Sequence, residues 1–384
     1  MGESVVIALH GSWASTLCSD LVHELDLGVG FVPPRESSHA SMVGRVGSFA
    51  GRGRFVDFQW HRDAAFEPDW IQETYGARSA LRSSTAHRSM FFRRVATDFP
   101  DGPVVAVSGN VNDGRRSREY ARELVQIRDA EFSGRPVMAS FVLDRQGLTD
   151  HSILADLNPL PRGVDGVALS IQDAAIYPSI WTYDDWYGWL RLIRGFVEAG
   201  YDVILPYSDV RGLVGVGVGA REFGTGPQQD LRQLRPAQQR QETTGAQPSV
   251  SYVSIPLLSI VHGSRAGLEA EWHRIESHAQ SSVAFGRMGG LHSLGSSFDD
   301  DWTSSGRPRG ELTNNRISQH IRALAAAEEA ILANSTADAV EAQLEEAVAL
   351  GTTISQDVFK NPGSRAELDS RLQAFRSVRR DLAF

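Results

Sequence analysis

The sequence predicts an α/β fold, a (β/α)8 barrel with a C-terminal helical appendage, and two observations carry that expectation. About eight apolar strand candidates precede residue 230, and helix-compatible segments separate most of them. The stretch Tyr201 to Gly226, YDVILPYSDVRGLVGVGVGAREFGTG, then reads as buried strand, tight small-residue helix and second strand, a parallel βα repeat. A doubly wound open sheet is the alternative, but it has no need of an eighth strand.

The elements follow in order. Val5 to His10 (VVIALH) is a buried-strand pattern, and Ser19 to Leu27 is helix-compatible. Gly28 to Val32 (GVGFV) is the next apolar run, stopped by Pro33 and Pro34, and Phe55 to Trp60 (FVDFQW) follows a Gly-Arg turn. Glu67 to Val95 reads as one long helical region bearing Arg78, Arg82, Arg88, Arg93 and Arg94. Val104 to Ser108 is a strand, Asp113 to Phe132 an amphipathic helix, and Pro136 to Asp144 and Val164 to Gln172 are strands. From Thr182 to Ala199, Trp186, Trp189, Leu190, Ile193 and Val197 recur at helical spacing. Thr182 with Asp185 makes a capping pattern there, and Gly200 is the stop.

Past Gly226 the texture changes. Residues 1–226 are expected to form the barrel, 227–310 a linker, long loop and barrel-packing segment, and 311–384 the helical appendage. Pro227 to Ser249 is rich in Gln, Arg and Pro without apolar periodicity. Tyr252 to Val261 is apolar and is expected to pack back on the barrel. In the tail, Ser335 with Asp338 and Ser364 with Glu367 are expected to cap helices, and Glu341, Glu345 and Glu346 to face solvent. Three such helices bury too little to stand alone. The apolar faces carrying Ile321, Leu324, Ile331, Leu344 and Leu350 must therefore dock, on the barrel's outer helices or on a second copy of the chain.

Composition narrows the chemistry. The formal charge of -9 over 384 residues gives no overall pull toward nucleic acid or anionic membrane. Cys18 is the one cysteine, which excludes a disulfide framework and a cysteine zinc cluster. Lys360 is the one lysine, so a barrel Schiff base and a Gly-Lys-[Ser/Thr] phosphate loop are both excluded. No run is long enough for a membrane span and no signal-peptide pattern opens the chain, so a cytoplasmic protein is expected.

In a barrel of this class the site lies at the C-terminal strand ends. The residues there are His10, Asp57 with His61, Ser108 with Asn110, Asp144, Gln172 with Asp173, Tyr207 with Asp209, and Arg221 with Glu222. Asp144 and Glu222 are the leading catalytic candidates, with Asp57 and Asp209 assisting, because paired carboxylates suit glycosyl transfer or hydrolysis. Asp144 can equally cap the turn after it, and Arg221 with Glu222 can equally be a structural pair. His10, Asn110, Gln172, Tyr177, Trp181, Tyr207 and Arg221 are candidate ligand contacts. Tyr177, Trp181 and Tyr183 precede or open a helix and could stack on a sugar or nucleobase. No metal is expected, since the histidines lack ligand spacing, and no cofactor. A flavin on the Gly-rich stretch is a weaker option. The expected ligand is a small molecule or nucleobase-bearing compound, and the opposing reading is a non-catalytic scaffold.

Two resemblances follow from these residues. The run from Leu213 to Thr225, small-residue helix, Gly-Ala, strand and Gly-Thr, resembles the closing units of phosphate-binding (β/α)8 barrels. Strand-end aspartates, an aromatic loop and a helical tail together look like the tRNA-guanine transglycosylase group. Members of that group usually hold a zinc on three cysteines and a histidine. With Cys18 alone, no functional position carries over, and the likeness implies only base or sugar chemistry.

Overall fold

The computed structural model describes residues 5–9, 13–33, 38–59, 68–132, 134–175, 178–226, 233–234, 236, 252–261, 312–332, 336–359, 361 and 363–382. They fall into two compact units. The first comprises Met1–Ala174, Gly195–Asp209 and Ala220–Arg240, and the second Ala175–Arg194, Val210–Gly219 and Gln241–Phe384.

The first unit holds eight parallel strands: β1 (Val5–Leu9), β2 (Gly28–Phe31), β3 (Gly53–Val56), β4 (Val104–Val105), β5 (Val137–Leu143), β6 (Gly166–Ile171), β7 (Asp202–Leu205) and β8 (Glu222–Thr225). Their order is β3-β2-β1-β8-β7-β6-β5-β4. The first and last strands of that order share no hydrogen-bonded ladder, so the barrel is nearly closed, with one seam between β3 and β4. Helices α1 (Trp13–Glu24), α2 (His39–Ser48), α3 (Asp69–Tyr75), α4 (Arg78–Ser83), α5 (Thr85–Asp98), α6 (Gly114–Glu131), α7 (Arg145–Thr149), α8 (His151–Leu157), α9 (Tyr183–Glu198) and α10 (Val210–Gly217) alternate with the strands along the chain.

The strongest strands, β5 (VMASFVL) and β6 (GVALSI), are near-continuous apolar runs, as parallel strands covered on both faces must be. The region expected as one long helix is three. Gly76, at φ 90°, ends α3, and Ser84 starts α5 by accepting the His87 amide. Arg88 is no free cation there. It holds Glu123 of α6 through two bonds, at 2.5 and 2.7 Å. The capping pattern before α9 forms as expected: the Thr182 amide donates to Asp185 at 2.9 Å and the Asp185 amide returns to Thr182 Oγ1 at 3.3 Å.

Inside the barrel the strand period of two selects one layer: Val6, Phe55, Met138, Ala168 and Ile204, with Val105 against them. Gly30 of β2 is obligatory here, because a Cβ on it would lie 2.3 Å from the Phe55 ring. The register of β2 on β3 shifts between Val29 and Gly30, and the extra residue lets Arg54 and Phe55 both reach over β2.

The second unit contains a hairpin, β9 (Tyr252–Ser254) with β10 (Ser259–Val261), and helices α11 (Leu312–Leu332), α12 (Thr336–Thr353) and α13 (Ser364–Leu382). Ile321, Leu324, Ile331, Leu344 and Leu350 are all buried. The apolar segment expected on the barrel packs on the tail helices: Leu257 and Val261 share a core with Ala347, Leu350, Ile354 and Leu368. Gly217 of α10 meets α12 so closely that a Cβ would lie 2.9 Å from Val340. The acidic face of α12 is cross-linked rather than merely solvated. Arg376 bonds Glu341 and Glu345, and Arg379 bonds Glu341 and Asp338. The cap expected at Ser364 does not form, since its hydroxyl is buried without a partner and Glu367 turns instead to Trp186 Nε1 at 3.1 Å. Ser335 lies outside the described residues.

Candidate functional site

Two residues along from the apolar layer, the same strands place Asp57, Ser140, Ser170 and Pro206 around a cavity at the C-terminal end of the barrel. Ser108 joins them after β4. The cavity is small, about 30 Å3, room for one or two water molecules. Among the described residues, no group bonds the hydroxyls of Ser108, Ser140 or Ser170. They are donors and acceptors held by strands and facing a shared space.

Asp57, which follows β3 and lines the cavity, meets Tyr207, which follows β7 and is buried behind that wall. Tyr207 Oη donates to Asp57 Oδ2 at 2.6 Å, and Gln59 Nε2 donates to Tyr207 Oη at 3.1 Å. The Gln59 amide donates to Asp57 Oδ1 at 2.7 Å, closing the ring of bonds. The backbone is bent to make this possible. Gln59 has φ 56° and Tyr207 φ 60°, and Asn112 and Asp209 also have positive φ after β4 and β7. Such conformations cost of order 1–3 kcal/mol each where the side chain is not glycine, and they cluster where a scaffold forces a side chain into place.

The Tyr201 to Gly226 stretch builds the β7 side of this arrangement. The amides of Ser208 and Asp209 both donate to the Gly224 carbonyl at 3.0 Å. A Cβ on Gly224 would lie 3.1 Å from the Tyr207 nitrogen, and Thr225 Oγ1 donates to Asp209 Oδ1 at 2.6 Å. The Gly-Thr pair of the sequence is therefore the anchor of the turn that presents Tyr207.

The other expected residues lie elsewhere. Of the four carboxylates, Asp57 lines the cavity, and Asp144, Asp209 and Glu222 are not among its walls. Asp144 caps α7: its Oδ1 accepts from the Gly147 amide at 2.9 Å and from Asn112 Nδ2 at 2.8 Å. Asp209 is buried against Thr225. Glu222 opens β8 and does not end it, so it sits at the N-terminal rim, 3.8 Å from Arg54 and 3.6 Å from Arg221. Arg221 is exposed there and bonds Asp202. Asn110 is an exposed turn residue whose carbonyl takes the Asp113 amide. Gln172 follows β6, half-buried, in a bridge with Leu234, and Asp173 beside it is paired with Arg145 at 3.0 Å. His10, His61 and Tyr177 lie outside the described residues.

Trp181 belongs to the second unit and is buried. Its ring centroid is 5.1 Å from that of Trp186 and 5.5 Å from that of Trp189, and the Arg211 guanidinium lies 4.1 Å over it. The ring expected to stack on a ligand is spent on this cluster.

Sequence reading passed over Gln59, Ser140, Ser170 and the Gln233–Leu234 segment. Leu234 is fully buried with Val32, Val142 and Tyr207, and its carbonyl takes the Asp173 amide. Leu234 thus packs beside β2, β5 and β7. The serines had one available signal, their place two residues beyond Met138 and Ala168 on clean strands.

Among the described residues there is no group of three metal-ligating side chains, and no helix is long and apolar enough to cross a membrane. No family model matches the chain, and none supports the transglycosylase resemblance. No curated protein matches it. Among solved structures it is similar to a probable tagatose 6 phosphate kinase from Sinorhizobium meliloti 1021, at 9% identity and TM-score 0.35, over 98% of this chain and 100% of that one. An overlay at that score carries no argument about fold or chemistry.

Proposed function

We propose that the protein works through the C-terminal mouth of its barrel, on a small sugar- or nucleobase-bearing ligand whose glycosyl bond it hydrolyses or transfers. The observation behind this reading is the 2.6 Å bond from Tyr207 to Asp57 beside three serine hydroxyls that no described group holds. Hydroxyls suit a hydroxyl-rich ligand, and a carboxylate at the rim of an apolar interior suits proton transfer. In the proposed step Asp57 takes a proton from the attacking water or acceptor hydroxyl, whose oxygen bonds the anomeric carbon. The bond from that carbon to the leaving oxygen breaks, and Tyr207 supplies the leaving oxygen with a proton. Transfer from Asp57 back to Tyr207 along their hydrogen bond restores both groups. Gln59 orients the phenol.

The test is to incubate the full chain with methyl glycosides, phenyl glycosides and nucleosides and to follow cleavage by chromatography. Asp57→Asn is expected to slow turnover by roughly a hundredfold to ten-thousandfold while changing affinity only slightly. Equal rates in wild type and Asp57→Asn would sink the catalytic assignment. One observation favours the non-catalytic reading: Leu234 packs with Val32, Tyr207 and Val142, so an apolar cluster stands directly behind the cavity wall that Val142 forms. Binding without turnover of any compound would select that reading.

A further inference from the structure

We infer that the cavity holds the attacking water, and that the protein passes the glycosyl group to water alone: it hydrolyses, and takes no sugar or alcohol as acceptor. The inference rests on the mouth being the ligand site. Two serines break strands that otherwise run apolar, Ser140 in VMASFVL and Ser170 in GVALSI. Ser140 is in register with Ala168, two residues before Ser170. The two hydroxyls therefore line one space in a stagger and do not bond each other. Ser108 faces the same space after β4. Ser108 and Ser170 are each only 6% exposed, and among the described residues none of the three hydroxyls has a partner. Buried hydroxyls are ordinarily satisfied, and where no protein group does so an ordered water does.

The size of the cavity decides what it admits. Water needs a space of at least about 10–15 Å3 and about two to four polar partners. The cavity offers about 30 Å3, and Asp57 with the three serines supplies the partners. A sugar ring is several times too large, so the ligand lies over the cavity with its anomeric carbon toward it. The attacking group then comes from beneath, out of the cavity. A water there is held by the hydroxyls beside the carboxylate that accepts its proton. An alcohol would have to bring its carbons into the same space, which Val56, Phe58, Ala106, Val107 and Val142 wall in. With water in the attacking position, its oxygen bonds the anomeric carbon and its proton goes to Asp57. The leaving oxygen departs with the proton of Tyr207.

The experiment runs the full chain on methyl glycosides, phenyl glycosides and nucleosides, with and without glycerol as a competing acceptor, and identifies the products by chromatography and mass. Free sugar is expected as the glycosyl product in both cases, with no glycerol glycoside and no sugar-to-sugar product. Ser170→Val, which puts a methyl group where the water lies, is expected to lower kcat by roughly tenfold or more and to leave KM within about twofold. Ser140→Ala removes one of the groups that hold the water, is expected to act in the same direction, and serves where Ser170→Val fails to fold. A crystal structure of the wild type is expected to show an ordered water bonded to at least two of Ser108, Ser140, Ser170 and Asp57. A glycerol glycoside, an unchanged kcat in the folded variants, or a dry cavity would each overturn the inference and leave the catalytic reading of Asp57 standing. Turnover of none of these compounds would overturn both.

Discussion

Tyr207 holds its left-handed backbone because two contacts repay it, the carboxylate of Asp57 and the amide of Gln59. Tyr207→Phe keeps the ring and the backbone but removes both bonds, so it is expected to cost about 1–3 kcal/mol in urea unfolding. An unchanged midpoint would show that the bond ring holds nothing in place. Tyr75 makes a second prediction. Burial, and then its hydrogen bond to Asp98, pushes its phenol well above the usual tyrosine range. A folded pKa raised above the unfolded one gives stability that is intact below the unfolded value, about pH 10, and is lost as pH rises beyond it. Stability should fall above about pH 10 in the wild type and fall less in Tyr75→Phe. Parallel curves for the two proteins would refute the assignment.

Among the elements, α10 gives the sharpest test. Alanine normally beats glycine inside a helix by about 1 kcal/mol. At Gly217 the sign should reverse, because the added carbon meets Val340 of α12. Gly217→Ala is expected to destabilise by about 1–3 kcal/mol, and Val340→Ala placed on top to restore part of the loss. Strictly additive melting shifts would mean that the two helices do not press on each other there. The elements also show what a sequence can disclose. β5 and β6 were legible because each is an apolar run broken by a single serine. The ladder of β4 is confined to Val104 and Val105, and the strand signal in Val104 to Ser108 does not reveal that limit. Glu222 was named as a strand-end residue although it stands at the start of its strand, which puts it at the rim opposite the candidate mouth. Asp57 and Tyr207 could be named as strand-end residues. Ser140 and Ser170 read as small core fillers until the strands are set side by side. Trp181 was misjudged for a non-local reason: the chain that covers it includes Arg211 and a cluster bonded to Glu367, far along the sequence.

For the whole molecule, the tail is the element to remove. Its helices cover α10 and share the second unit with the first turns of α9, so they are no detachable appendage. Deleting Glu311 to Phe384 is expected to uncover Trp186 and the Gly217 face and to cause aggregation or a changed subunit number, read by size-exclusion chromatography with light scattering. A monodisperse truncated chain with an unaltered melting temperature would contradict this. The seam has a consequence of another kind. A barrel laddered all the way round has a fixed circumference, like a hoop, and can widen only by breaking backbone bonds. This one is a split hoop: β3 and β4 can part without the loss of one ladder bond. Their amides are expected to exchange with solvent deuterium ahead of those in β5 and β6, and the reverse order would mean that the split is clasped by side chains alone. A split hoop grips what is pushed into it, and its bore is set by its contents as much as by its own strands.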